Sequence, residues 1–125
     1  MNIKAALNRW KRRQFNYGDA DCFMFACFII KEMTGKDYAS QYEYGSEKEA
    51  YETVERVGGS QKLSDALNNV FENPTLDLKD GDPCVVDVPM IGEITGVKMD
   101  DFVICITAKG MSKIPTRYLV AGWSL

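Results

Sequence analysis

Histidine is absent from all 125 residues. No Ser-His-Asp triad, Cys-His dyad, histidine-ligated metal or imidazole base can be assembled from this chain alone. The four cysteines, Cys22, Cys27, Cys84 and Cys105, form no C-x-x-C pair, which excludes the common zinc-ribbon and thioredoxin-type motifs. No glycine-rich phosphate loop is present, so nucleotide chemistry is not indicated. Long apolar runs are also missing. The longest, Cys22 to Ile30, falls far short of a membrane span, and the N-terminal residues do not read as a signal peptide. No metal and no cofactor are expected, because Asp80, Asp82 and Asp87 read as turn and solvent-facing residues.

What is present describes an ordinary folded domain. The chain is 46% hydrophobic and 26% charged, and its length suits one domain with a real core. All four cysteines lie inside apolar runs, as reduced thiols acting as small hydrophobes do. The net charge of −3 is unevenly spread. Residues 1–13 carry Lys4, Arg9, Lys11, Arg12 and Arg13 with no acid, so this segment is +5 and the remainder −8. A basic arm on an acidic body fits an acidic partner surface, or simply a solvated helix face. An acidic chain overall predicts no direct nucleic-acid binding.

The pattern changes near residue 74. Before it, apolar residues recur at helical spacing; after it, short β-rich runs are separated by Gly, Pro and Asp. Ile3, Leu7 and Trp10 predict a short amphipathic helix. A second helix opens after Asp21, a favourable N-cap, and ends at Thr34-Gly35. It is apolar on nearly all sides, which places it centrally. Ser46-Glu47-Lys48-Glu49 is a capping box for a third helix with Ala50, Val54 and Val57 buried, and a fourth is expected around Ser64 to Phe71. Strands are predicted at Cys84–Val88, Ile94–Lys98, Phe102–Thr107 and Tyr118–Trp123, with a short one near Met111–Ile114. Connections this short require antiparallel pairing. The expectation is a single α+β domain over 1–125, helical to about 74 and β from about 75, with a small antiparallel sheet packed on the cysteine-bearing helix.

A thiol in the first turn of a buried helix is chemically loaded, because the helix N-terminus favours thiolate and its free N–H groups can hold an oxyanion. The sequence around it has a family likeness. Trp10, Phe15-Asn16-Tyr17-Gly18, then Asp21-Cys22 with Phe25-Ala26, resembles the nucleophile region of the NlpC-type papain-like cysteine peptidases. More closely, the chain resembles small NlpC-like domains of unassigned function encoded among phage and prophage tail genes. Gly35-Lys36-Asp37, Tyr44, Gly58-Gly59, Gly81-Asp82, Gly96-Val97, Gly110-Met111, Pro115 and Ala121-Gly122-Trp123 follow in the same order.

The resemblance implies a papain-like fold with Cys22 in the nucleophile position. It also implies a histidine on the second strand, where this chain reads Glu93-Ile94-Thr95-Gly96-Val97. The base position is expected to hold Ile94 or a neighbour. Glu93, Thr95 and Asp82 are the substitutes nearest by topology, and Lys98 shares the strand face of Ile94. Base catalysis supplies about 100- to 10,000-fold, so its loss leaves a feeble hydrolase. The resulting expectation is a catalytically degenerate, NlpC-like structural protein of a phage or prophage tail, made in the host cytoplasm and carried in the virion. Its partners would be tail-tip, hub or tube proteins, with host cell-wall peptide as a further one, and its oligomeric state would follow the assembly. The expected contact residues are Arg9, Lys11, Arg12, Arg13, Tyr38, Tyr42, Tyr44 and Trp123. The alternatives are a cysteine hydrolase using Cys22 with a non-histidine or partner-supplied base, and a module that binds peptide or glycan without cleaving it.

Overall fold

A computed structural model describes residues 3–125. The first two positions of the basic arm lie outside the described residues. Helices come first: α1 (Ile3–Trp10), α2 (Cys22–Thr34), α3 (Glu47–Gly58) and α4 (Leu63–Asn68). The strands follow: β1 (Pro83–Val88), β2 (Gly92–Met99), β3 (Phe102–Thr107), β4 (Gly110–Pro115) and β5 (Leu119–Gly122). They form one antiparallel sheet in the order β4-β3-β2-β1-β5, so the class is α+β. No helix among the described residues is long and apolar enough to cross a membrane.

The caps operate as their residue types dictate. Asp21 sits in extended backbone and accepts from the Met24 N–H, while Gly35 closes α2 at φ 80. Ser46 accepts from the Glu49 N–H. The Glu49 carboxylate reaches back one residue further than a standard capping box, to the Gly45 N–H at 2.9 Å.

Helix α2 is the centre of the molecule. Phe25, Ala26, Ile29 and Ile30 are all but fully buried against the inner sheet face carrying Val85, Val97 and Ile104. Each large apolar side chain so buried contributes about 1.5–3 kcal/mol. Trp10 of α1 packs on Phe25 and Phe28, with ring centroids 5.3 and 5.6 Å apart. The outer sheet face has its own small core of Cys84, Val86, Val103 and Cys105, covered by Leu78, Ile94, Tyr118 and Leu119. Gly96 lies between the strands carrying these residues. A Cβ there would press on Val103, the Cys105 sulfur and the Ile104 carbonyl, which explains its lack of a side chain.

Several boundaries differ from the sequence reading, β2 for instance running from Gly92 to Met99. Helix α4 stops at Asn68, because Val70 bonds back three residues to the Leu67 carbonyl and tightens the chain into a turn. The short run near Met111–Ile114 is a full strand, paired with β3 from Phe102↔Pro115 to Thr107↔Gly110. A 3-10 turn at Thr116–Tyr118 delays β5 to Leu119.

Candidate functional site

The loop before α2 folds back on itself, with paired bonds between Asn16 and Ala20 (3.1 and 2.8 Å). Gly18 takes φ 82 and lies so close to the Tyr44 carbonyl that no side chain fits. Its N–H donates to Asp21 Oδ2 at 2.9 Å, and the Tyr44 hydroxyl donates to the same oxygen at 2.8 Å. Oδ1 takes the Met24 N–H at 2.8 Å. The buried Asp21 carboxylate therefore fixes the glycine turn, the helix start and the tyrosine together, and sets Cys22 at the first position of α2.

Cys22 opens onto a cleft of about 460 Å³, within the range of small-ligand sites. One wall is the stripe Glu47, Ala50, Tyr51 and Val54 of α3, together with Leu63. The opposite wall is Ile106 to Lys109 with Ser112 and Ile114, and Phe15, Tyr17 and Ile91 stand at the sides. Cys22 and Thr95 also line the cleft, and Ile94 borders it from the outer sheet face. Its lining is chiefly apolar.

Thr95 stands where the sequence reading looked for the base. It is fully buried on the same strand alternation as the inner-face residues Val97 and Met99, and its main chain helps to lower the Cys22 thiol. Ile94 turns to the outer face with Cys84 and Val86, so among the expected neighbours it is Thr95, not Ile94, that meets Cys22. The Thr95 hydroxyl has no hydrogen-bond partner among the described residues.

The electrostatics reverse the expectation of a thiolate. Burial pushes the Cys22 thiol up from 9.0 to about 12, and the Asp21 carboxylate pushes the same way. The N–H groups of Thr95, Phe23 and Cys22 pull it down but are outweighed. At neutral pH the sulfur is protonated.

The substitute bases are engaged elsewhere. Glu93 Oε1 accepts from the Ser64 N–H at 2.8 Å and Oε2 from the Ser64 hydroxyl at 3.1 Å, so this carboxylate caps α4 from across the fold. Asp82 accepts from the Lys79 N–H at 2.8 Å and the Leu125 N–H at 3.1 Å, holding the turn before β1 to the chain end. Lys98 lies on the outer alternation and donates to the Asp100 carbonyl. Thr107 and Ser112 bond the Gly110 carbonyl across their own hairpin. Among the described residues no three Cys, Asp or Glu side chains converge for a metal.

The expected contact residues divide. Lys11 and Arg12 are exposed, as are Arg9, which stacks over Phe28, and Arg13, which lies over Trp10 and pairs with Asp19 at 2.7 Å. Two of the aromatic ones are corrected as surface contacts. Tyr42 is 2% exposed and packs edge-on against Phe23, and Trp123 is 1% exposed, donating to Asn68 Oδ1 at 3.2 Å. Tyr38 is half-buried on Phe71, and Tyr44 is spent on Asp21. The loop carrying Tyr38, Tyr42 and Tyr44 is thus a packing element, because each ring finds an apolar or carboxylate partner within the chain.

The sequence reading missed Tyr51 and Glu47. Their signal was the helical spacing of Glu47, Ala50, Tyr51 and Val54, which sets all four on one side of α3. Lys109, in the β3–β4 turn, carried no signal of its own.

Over residues 1–125 the chain matches the family described as Domain of unknown function (DUF6950). No curated protein matches it.

Proposed function

The chain belongs to the DUF6950 family, and we propose that it is a catalytically degenerate, NlpC-like contact protein of a phage or prophage tail, whose old substrate cleft holds a ligand without cutting it. The observation that carries the loss of chemistry is the pairing of a protonated Cys22 with Thr95. A hydroxyl is no base at neutral pH, and the carboxylates of Asp21, Glu93 and Asp82 are committed to structure. Retention of an apolar cleft of about 460 Å³ supports binding over a purely inert scaffold. The tail setting, with tail-tip, hub or tube proteins as partners, rests on the ordered resemblance of the sequence. The exposed Arg9–Arg13 arm supplies a second, basic contact surface.

Iodoacetamide labelling at neutral pH tests the reading. Cys22, located by digestion and mass analysis, is expected to react more slowly than free cysteine. Thr95→His is expected to accelerate it by restoring an imidazole beside the sulfur. Rapid labelling of the unaltered chain, together with release of cell-wall peptides, would overturn the proposal in favour of a hydrolase.

A further inference from the structure

The Cys22 cleft is unbalanced in charge. Asp21, Glu47 and Glu93 line it against a single cation, Lys109, so three carboxylates face one ammonium in a chiefly apolar space. Two of the three are spent within the fold. Asp21 accepts the Gly18 and Met24 N–H groups and the Tyr44 hydroxyl, and Glu93 holds Ser64, with Lys62 at 3.9 Å. Glu47 is different. It is exposed, and the one hydrogen bond its carboxylate makes among the described residues comes from the Tyr17 hydroxyl at 3.2 Å. No Lys or Arg forms an ion pair with it among the described residues.

Aromatic rings gather at this carboxylate. Tyr51 stands one turn further along α3, at the i, i+4 spacing that puts two side chains on one helix face. Tyr17 reaches it from the loop before α2, and Phe15 backs Tyr17 edge-on, with ring centroids 4.9 Å apart and planes at 81°. Burial raises both the Tyr17 and Tyr51 phenols and the Glu47 carboxylate raises them further, so both hydroxyls stay neutral beside it. Tyr51 is 53% exposed, which leaves its ring open to a ligand at the edge of the cleft. Ring faces and a carboxylate oxygen attract the same charge, and together they form the kind of donor set that holds organic cations.

We propose that the cleft binds a small organic cation, an ammonium group on an apolar body, with the charge seated among Glu47, Tyr17 and Tyr51; the inference rests on the reading of the cleft as a binding site. The apolar body lies along Ala50, Val54 and Leu63 on the same wall. Other ligand classes fit these walls less well. A neutral ligand filling the cleft takes Glu47 part-way out of water with no counter-charge, a cost that a cation offsets. An anion meets three carboxylates, and its only attraction is Lys109 on the opposite wall.

The meta-hydroxyphenyl trimethylammonium ion is the probe. Two analogues of similar shape accompany it: meta-tert-butylphenol, in which carbon replaces the charged nitrogen, and the anion meta-hydroxybenzoate. Each is titrated into the full chain while the backbone amide signals of Cys22, Ala50 and Tyr51 are followed by nuclear magnetic resonance. The ammonium ion is expected to shift these signals and to bind about tenfold more tightly than the neutral isostere, with the anion weakest. Glu47→Gln keeps an acceptor for the Tyr17 hydroxyl but removes the charge, and is expected to abolish the preference. Tyr51→Leu, at an exposed position, is expected to reduce it while keeping the wall apolar. Equal binding of the ammonium ion and its neutral isostere, tighter binding of the anion, or a preference unchanged in Glu47→Gln would overturn the cation assignment and leave the cleft reading intact. If none of the three compounds shifts a cleft signal, both readings fall.

Discussion

The Tyr44 hydroxyl donates to Asp21 Oδ2 at 2.8 Å, joining the loop before α3 to the cap of the central helix. Asp21 is 3% exposed and accepts two backbone N–H groups besides, so each bond works on a charge removed from water. Tyr44→Phe leaves that carboxylate one donor short and is expected to cost about 1.5–3 kcal/mol in urea unfolding. Asp21→Ala removes the cap and both other contacts and should cost more. A Tyr44→Phe chain as stable as the original would mean that water replaces the hydroxyl.

Alkaline pH is expected to unfold the chain. Burial pushes Cys22 and Cys84 up to about 12 from 9.0, and it raises Cys27 and Cys105 as well. Above about pH 9 the folded chain keeps protons that the unfolded chain has released, so stability falls as pH rises. It is complete below pH 9 and declines towards 12, by at most about 1.4 kcal/mol per thiol per pH unit. Thermal melts from neutral pH upwards check this. A flat profile through pH 10 would contradict it.

Thr95→Val replaces an unpartnered buried hydroxyl by a methyl of the same shape. The variant is expected to gain about 1 kcal/mol in stability while losing affinity for any cleft ligand whose polar group meets that hydroxyl. Gain of stability with loss of binding is the signature of a group held for a ligand. Loss of stability would show that the hydroxyl serves the fold.

Trp123 and the basic arm should part company in mutagenesis. Trp123→Ala empties a site packed on Phe71 at 5.2 Å between ring centroids, and is expected to cost about 3–5 kcal/mol. Charge reversal at the exposed Lys11 and Arg12 should move stability by less than about 0.5 kcal/mol and, on the proposed function, act instead on binding to tail components. Circular dichroism melts and pull-downs on the same variants separate the two effects.

The sequence disclosed the parts of this molecule governed by short-range rules. Asp21, Gly35 and Ser46 cap helices because their side chains or backbone freedom suit those positions wherever they occur. The run from Phe102 to Thr107 became a strand with those bounds because its apolar pattern was unbroken. The floor of the cleft was harder to read. Whether Ile94 or Thr95 faces Cys22 depends on strand register, and a slip of one residue reverses every side chain. The aromatic residues misled for a related reason: Tyr42 and Trp123 find Phe23 and Asn68 through tertiary folding, which composition alone does not reveal. The helix dipole gave the wrong protonation state at Cys22 because desolvation, a property of the assembled core, exceeds it.

Glu93 has an evolutionary consequence. Its carboxylate stands two residues from Thr95 on the same strand, yet both oxygens are spent at the start of α4. Turning it towards the sulfur would strip Ser64 of its acceptor and loosen the wall of the cleft. A mutational route to hydrolysis that recruits Glu93 must therefore cross a less stable intermediate, whereas one through Thr95 starts from a residue whose hydroxyl the fold does not use for hydrogen bonding. Any gain of a base beside Cys22 is thereby easier at Thr95 than at Glu93.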